Sequence, residues 1–155
     1  MLDVRDQYLL SAGADELHGG FGNDTLHDGS GWDKLYGEAG NDVLDASNAD
    51  GASLYGGAGG DLLTGDGGTD YLDGGDDNDT MYGLAGSDTM HGGNGNDSMF
   101  GGTGQDTLYG DAGDDWIAGN TNNATEGEAD YLDGGAGTND TRLDFDTADT
   151  AINFP

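Results

Sequence analysis

The chain has 155 residues, enough for one domain, and its 32 acidic and 3 basic residues give a net charge of −29. This charge excludes nucleic acid and anionic membrane surfaces as partners, because both require a basic face on the protein. Cysteine is absent, so disulfides and thiolate metal sites are excluded as well. No apolar run approaches the roughly 18 residues of a membrane span, and we expect no cleavable signal peptide in residues 1–10.

The kind of acid is informative. Of the 32 acidic residues 28 are Asp, a short side chain that suits turns and a hard oxygen ligand for metals. Glycine supplies 33 residues, while proline occurs once, which excludes collagen. The composition leaves cationic partners open, of which a polyvalent metal ion is the most compact.

The chain opens with a lead-in, residues 1–12, whose apolar side chains could cover the end of a stacked core. Nine-residue repeats then run to residue 45. Their sixth places hold Asp15, Asp24, Asp33 and Asp42, and their eighth places hold Leu17, Leu26, Leu35 and Leu44. Residues 46–55 break this pattern, because they number ten and Ala52 stands where Asp is expected, although Leu54 keeps the apolar place. We interpret this segment as a defective repeat that preserves the core and loses a carboxylate.

Residues 56–118 form seven consecutive blocks of nine, each with Gly at the first place, Asp at the sixth and an apolar residue at the eighth. Composition bias alone does not hold two residue types in phase over seven periods. The sixth-place series is Asp61, Asp70, Asp79, Asp88, Asp97, Asp106 and Asp115. The eighth-place series is Leu63, Leu72, Met81, Met90, Met99, Leu108 and Ile117.

After residue 118 the period fails. We expect an irregular loop followed by degenerate repeats, in which residues 130–133 resemble a repeat ending and Asp140 arrives one place late. The last residues carry Leu143, Phe145, Ile152 and Phe154 and are predicted to form a C-terminal cap, since a solenoid must hide its last layer. The predicted segments are therefore a lead-in at 1–12, repeats at 13–118, an irregular part at 119–140 and a cap at 141–155.

The repeated block GGxGxDxUx, in which U is apolar, resembles the RTX nonapeptide, the calcium-binding repeat of exported bacterial toxins, proteases, lipases and adhesins. The resemblance covers roughly residues 13–118. It implies an all-β fold, a right-handed parallel β-roll with calcium ions in its turns, in which successive strands alternate between two sheets. The Gly-rich part takes six places of each repeat, which leaves three for a short strand with its middle side chain pointing inward.

In such a roll, Asp residues eighteen apart lie above one another in stacked coils about 4.8 Å apart. Two carboxylates at that separation repel by roughly 3 kcal/mol at an effective dielectric near 20, and a divalent cation between them reverses the sign. Calcium accepts about 6–8 oxygens from carboxylates and backbone carbonyls, and glycine tolerates the positive φ that turns carbonyls toward one point. The predicted metal-site residues are Asp15, Asp24, Asp33, Asp42, Asp61, Asp70, Asp79, Asp88, Asp97, Asp106, Asp115, Gly56, Gly74, Gly83, Gly92 and Gly101.

Eight pairs of stacked Asp keep both carboxylates, which predicts about eight calcium ions. The pairs that include Ala52 should be weak or empty, and the count leaves out end sites that would use Asp130 or Asp140. The eight pairs are Asp15–Asp33, Asp70–Asp88 and Asp88–Asp106 in one column, and Asp24–Asp42, Asp42–Asp61, Asp61–Asp79, Asp79–Asp97 and Asp97–Asp115 in the other.

Other known patterns fit these residues less well. A Gly- and Asp-rich acidic chain is typical of disorder, which we expect here only without calcium. An EF-hand needs a bidentate Glu within a helix–loop–helix frame, and the sequence has almost no Glu at such spacing and no helical period. The stacking keeps His18, His27 and His91 apart, so they form no zinc or catalytic set and no enzymatic activity is expected. Ring pairs at the ninth place, Tyr36 with Tyr55 and Tyr82 with Phe100, are predicted to stack, either as cross-strand stabilisation or as a platform for sugar rings or a partner protein.

The sequence therefore favours a calcium-triggered folding module of an exported bacterial protein, extracellular and without catalysis of its own. The resemblance implies type I secretion. Two alternatives stay open: a calcium-stabilised adhesion or glycan-binding module, and an accessory domain of a secreted lipase, protease or epimerase.

Overall fold

The structure is a computed structural model that describes residues 13–46, 50–119, 129–143 and 149–155. These residues form fifteen β-strands and no helix, and no segment among them is a helix with the length and apolar character to cross a bilayer. The strands are β1 Glu16–Phe21, β2 Thr25–His27, β3 Asp33–Ala39, β4 Val43–Asp45, β5 Ala52–Ala58, β6 Leu62–Thr64, β7 Tyr71–Asp76, β8 Thr80–Ala85, β9 Thr89–Asn94, β10 Ser98–Thr103, β11 Thr107–Ala112, β12 Trp116–Ala118, β13 Tyr131–Asp133, β14 Thr141–Arg142 and β15 Thr150–Ile152.

The strands build two parallel sheets. Odd-numbered strands form one sheet in the order β1-β3-β5-β7-β9-β11-β13-β15, and even-numbered strands form the other in the order β14-β12-β10-β8-β6-β4-β2. Because consecutive strands always lie in opposite sheets, the chain winds as a coil and each strand pairs with the strand one full coil away. The predicted all-β parallel β-roll is confirmed.

The core is a double column of the eighth-place side chains. In the eight-stranded sheet Leu35 is paired in register with Leu54, and Leu54 with Leu72. From Leu35 to Leu132 these side chains are fully buried. Each contributes roughly 2–3 kcal/mol by leaving water, so the apolar period holds the two sheets together.

Most strands are longer than the three residues predicted. Strands β1, β3, β5 and β7 to β11 each have six or seven residues, because pairing continues through the first three places of the next repeat. The burial of β7 alternates along its length, with Leu72 and then Gly74 facing inward. The first place is therefore a second inward position, and glycine gives it no side chain that an apolar pattern could reveal.

The defective repeat keeps the register of the roll. Ala52 is paired with Asp33, and Leu54 is fully buried in the core column. Residues 47–49 of this repeat lie outside the described residues, as do residues 1–12 and Phe145 of the predicted caps.

At the carboxyl end, the core column continues through Ala151 rather than Ile152. Ala151 is the residue paired with Leu132, and Ile152 is 40% exposed. Ala151 and Phe154 pack against the core. The alternation of the last strand thus turns the smaller residue inward, and Phe154 supplies the apolar contact that Ile152 was expected to make.

Candidate metal centre

The sixth-place Asp residues form two columns, each held by hydrogen bonds from one coil to the next. The backbone N–H of Asp79 donates to Oδ1 of Asp97 at 2.8 Å, and the N–H of Asp97 donates to Oδ1 of Asp115 at 2.9 Å. The other column follows the same rule, as in the 2.9 Å bond from Asp70 to Asp88. Residues eighteen apart are therefore stacked as the spacing predicts.

The second oxygen of these carboxylates has a different environment. For most of the column residues Oδ2 is buried and accepts no hydrogen bond from the protein. The residues whose Oδ2 is buried in this way include Asp15, Asp24, Asp33, Asp42, Asp61, Asp79, Asp88, Asp97, Asp115 and Asp140. A buried carboxylate oxygen without a partner is costly, so these atoms require a cation or a proton.

The first-place glycines form the wall that these oxygens face. A Cβ added to Gly74 would lie 2.4 Å from Oδ2 of Asp79 and 2.6 Å from the carbonyl oxygen of Gly92 in the next coil. The same arrangement recurs at Gly56, where the Asp61 oxygen and the Gly74 carbonyl converge. Beside these first-place glycines, then, a carboxylate oxygen and a backbone carbonyl oxygen face one narrow space that a side chain would fill.

Each predicted site glycine presents its carbonyl to a carboxylate one coil earlier. Each of these carbonyl oxygens shares its space with the carboxylate of one Asp. The pairs are Gly56 with Asp42, Gly74 with Asp61, Gly83 with Asp70, Gly92 with Asp79 and Gly101 with Asp88. The reason for glycine differs from the one expected, because none of these five has a positive φ. Positive φ falls instead at second and fourth places, for example 109° at Gly75 and 146° at Gly95.

Burial shifts the acidity of the column carboxyls. The pKa of Asp79 is raised to about 7, first by burial and then by the charges of Asp97, Asp61 and Asp77, against a backbone hydrogen bond that lowers it. Burial likewise raises the pKa of Asp88 and Asp115 to about 7. It raises the pKa of Asp97 to about 6. Without a cation these carboxyls resist ionisation at neutral pH.

The oxygens present fit calcium. Calcium takes about 6–8 oxygen ligands and accepts mixtures of carboxylates and backbone carbonyls, which is the donor set that the orphaned Oδ2 atoms and first-place carbonyls offer. No group of three or more acidic or His side chains in the described part of the chain is arranged to hold a metal by itself. An ion here would therefore depend on backbone carbonyls, as the Gly-rich turns imply.

The structure also shows column members that the period could not identify. The N–H of Asp106 donates to Oδ1 of Asp130 at 2.9 Å, and the N–H of Asp115 donates to Oδ1 of Asp140 at 3.0 Å. Asp130 in turn is followed by Asp149 at 2.8 Å. The irregular stretch between these residues breaks the nine-residue count, so only the repeat-like residues around them signalled that they belong to the columns.

The three histidines lie apart, as expected. His18 and His91 lie on different strands of the eight-stranded sheet, and His27 lies in the other sheet. Each contacts an acid, as His91 does with Asp111 at 3.0 Å. They form no shared site.

Rings on the outer face of the eight-stranded sheet form a continuous ladder. Tyr36 and Tyr55 stack at 4.9 Å, and Tyr82 and Phe100 on the other sheet stack at 5.0 Å, which confirms both predicted pairs. The ladder itself was not predicted, because Tyr71 enters it from the seventh place of its repeat. Its seven rings, with centroids 4.7–5.9 Å apart, are His18, Tyr36, Tyr55, Tyr71, His91, Tyr109 and Tyr131.

Comparison with known proteins agrees with the geometry. The family model described as RTX calcium-binding nonapeptide repeat (4 copies) matches residues 11–44, 55–90 and 91–126. No curated protein and no solved structure gives a significant match. The matched residues make up more than half of the chain and coincide with the coils that stack Asp over Asp. The chain therefore belongs to the RTX family of calcium-binding nonapeptide repeats.

Proposed function

We propose that calcium ions bind between successive coils and that the roll folds when they bind. The single observation that carries this proposal is the row of buried Oδ2 atoms with no hydrogen-bond partner, repeated from coil to coil beside a first-place carbonyl. A divalent cation supplies the partner that every one of these oxygens lacks.

Folding and binding are coupled in this proposal because the same carboxylates oppose the metal-free roll. Stacked acids with raised pKa values, such as Asp79 and Asp88, would lose hydration and repel one another at neutral pH. In the unfolded chain they stay hydrated and ionised. The free energy of calcium binding is then the free energy that closes the roll.

The eight pairs of stacked Asp predict about eight ions. Asp130 and Asp140 extend the two columns by the same hydrogen bond, so the pairs Asp106–Asp130 and Asp115–Asp140 are candidates for two more. The pairs that include Ala52 lack one carboxylate and are not counted.

We further propose that the domain works outside the cell, as part of an exported bacterial protein. Calcium is scarce in the cytosol, so the chain would remain unfolded during export and fold in an external medium. Extracellular calcium modules bind with dissociation constants of about 10⁻⁴–10⁻³ M, which matches such a switch. Type I secretion suits a chain that stays unfolded until it leaves the cell. The RTX β-roll is a structural module rather than a catalytic fold, and a catalytic partner such as a lipase, protease or epimerase would lie outside these 155 residues.

The test is a titration of the whole chain with calcium after treatment with chelator. Circular dichroism should change from a disordered spectrum to a β spectrum, and native mass spectrometry should count about eight to ten ions on the folded form. Magnesium at the same concentration is the control and should leave the spectrum disordered, because it demands a tighter octahedral site. A β spectrum that is the same in chelator and in millimolar calcium would refute the proposal.

The ring ladder favours a second candidate, a glycan-binding surface held in shape by calcium. Its half-buried rings repeat along one sheet face, and sugars stack on such rings through their apolar faces. With a net charge of −29, a neutral sugar is a better partner than an acidic one. A glycan array with calcium should give signal that Tyr109→Ala removes and Tyr82→Ala, on the other sheet, keeps. Equal signal from both variants, or none from the unaltered chain, counts against it.

A further inference from the structure

Asp28 is an acid in a place that the repeat reserves for glycine. It is the first residue of its repeat, where the neighbouring repeats have Gly19 and Gly37. At Gly65, the equivalent place two coils away, a Cβ would lie 2.4 Å from Oδ2 of Asp70, so this position points at the sixth-place carboxylate. Asp28 therefore directs its side chain into the space where the metal oxygens of the other coils converge.

Asp28 has no hydrogen-bond partner there. Its side chain is fully buried, and neither Oδ1 nor Oδ2 has a partner in the protein. In column residues such as Asp79 and Asp97, Oδ1 accepts a backbone N–H and only Oδ2 is without a partner. Of these buried carboxylates, Asp28 has the greatest unmet demand for a positive charge.

A second unusual acid, Asp66, lies on the opposite side of the coil that contains Ala52. Asp66 is the second residue of its repeat and is 6% exposed, although second places such as Glu38 and Asp111 are exposed. Its N–H donates to Oδ2 of Asp70 at 2.8 Å, which turns the segment toward the column, and its own Oδ2 is buried without a partner.

The coil between these two acids is the one that lost its carboxylate. Ala52 is paired with Asp33 below and donates its N–H to Oδ1 of Asp70 above, at 2.7 Å. The pKa of Asp28 is raised to about 7, first by burial and then by the charges of Asp33, Asp66, Asp45 and Asp70, which brings all of these carboxylates into one neighbourhood. The defect at Ala52 thus lies among acids of which two, Asp28 and Asp66, are not explained by the repeat.

We propose that Asp28 and Asp66 form a separate calcium site that replaces the two repeat sites lost at Ala52. The site would take its carboxylates from the first and second places of two different coils, unlike the repeat sites, which use sixth places. Ala46 stands at the first place of the intervening coil, where other coils turn a carbonyl oxygen toward the carboxylate below. Calcium combines such carboxylates and carbonyls in one shell.

The inference rests on the proposed calcium function and can fail independently of it. Native mass spectrometry on the full chain in saturating calcium would compare the unaltered protein with Asp28→Gly. Glycine is the ordinary residue at this place, so the variant restores the repeat and should fold. We expect it to carry one ion fewer than the unaltered chain.

Asp77→Gly is the matched control, since it makes the same change at an exposed fourth place where glycine is also the ordinary residue. It should keep every ion. An equal count for Asp28→Gly and the unaltered chain, or an equal loss in both variants, overturns the inference. A count of zero in the unaltered chain would instead overturn the proposed function.

Asp66→Asn gives a second reading of the same site. Its Oδ1 accepts the N–H of Gly68, and an Asn oxygen can keep that bond while the orphaned carboxylate oxygen becomes an amide nitrogen. This variant should lose the same single ion, and the combination with Asp28→Gly should lose no second one. Two ions lost in the double variant, or none in Asp66→Asn, would contradict a shared site.

Discussion

The backbone N–H of Asp79 donates a 2.8 Å hydrogen bond to Oδ1 of Asp97 one coil further on, while Oδ2 of Asp97 stays buried without a partner. One oxygen of the carboxylate therefore holds the coils in register and the other remains for a cation. Coil register and cation binding therefore depend on different oxygens of the same carboxylate.

Replacing Asp97 by Asn should weaken calcium binding on both sides of it, because Asp97 belongs to the pairs with Asp79 and with Asp115. The Asn oxygen can still accept the N–H, so the loss reports on the cation. A loss of about 1.4 kcal/mol at each of the two affected ions, spread over the roughly eight ions taken up on folding, moves the calcium midpoint of folding about twofold higher. Circular dichroism titration measures this. Asp76→Asn, an exposed residue in the same region, is the control, and an equal shift for both would point to net charge instead.

Lowering the pH should stabilise the metal-free roll. The pKa values of Asp79, Asp88 and Asp115 are near 7 in the folded chain, against an ordinary value of 3.8. Below 3.8 both states are protonated and there is no penalty; as pH rises from about 4 to 7, the unfolded chain ionises first and stability is lost. In chelator, the β signal should therefore be larger at pH 5 than at pH 7.5. A β signal that grows with pH would contradict this sign.

Calcium binding should show the opposite pH dependence. The ion needs ionised carboxylates, so protons compete with it below the folded pKa values of about 6 and 7 at Asp97 and Asp79. The calcium concentration at which half of the chain is folded should rise as the pH is lowered from 7.5 to 5. Isothermal titration calorimetry at the two values measures the change, with proton release expected on binding. Binding that is tighter at pH 5 would exclude these carboxyls as ligands.

Gly74→Ala should destabilise the calcium-loaded roll by about 1–3 kcal/mol. The added methyl would lie 2.4 Å from Oδ2 of Asp79 and 2.6 Å from the carbonyl oxygen of Gly92, which are the two oxygens offered to the ion. Gly67→Ala is the control, because a Cβ there meets nothing within 4 Å. Urea unfolding in saturating calcium measures both, and equal midpoints would show that the first place tolerates a side chain.

Tyr71→Ala should cost about 0.5–1.5 kcal/mol beyond the area it exposes, because it interrupts the ring ladder between Tyr55 and His91. Tyr71→Phe keeps the ring and loses only the 3.4 Å contact from its hydroxyl to Asp73. In saturating calcium, the melting temperature of Tyr71→Ala should therefore lie below that of Tyr71→Phe. If both variants melt together, the ladder is not a source of stability.

The sequence predicted the roll and its stacked acids because both follow from strict periods. The ten-residue repeat keeps its apolar residue, Leu54, which is buried in the core. Ala52 therefore stands in the column of sixth-place residues and hydrogen-bonds to the next one, Asp70. The inward character of the first place could not be predicted, since glycine carries no hydrophobic signal there. The alternating burial of β7 shows that Gly74 faces inward, which explains why glycine lines the space between the carboxylate and carbonyl oxygens.

Other features depended on departures from the period, which a count of places cannot follow. Tyr71 joins the ladder from the seventh place because Asp73 occupies the ninth, and the two side chains share one face of β7. Asp140 enters its column 25 residues after Asp115 rather than eighteen. The role of Asp28 could not be predicted from the sequence, because one more acid in an acidic repeat gives no sign that its side chain is fully buried.

Strand pairing with a period of two repeats also governs how such a chain can lengthen. Duplication of eighteen residues adds one whole coil and leaves every later strand in its original sheet. Duplication of nine would transfer all later strands to the opposite sheet and divide the rings between Tyr55 and His91 over two faces of the molecule. The unbroken row of rings on one sheet would therefore survive the insertion of a whole coil but not of a single repeat.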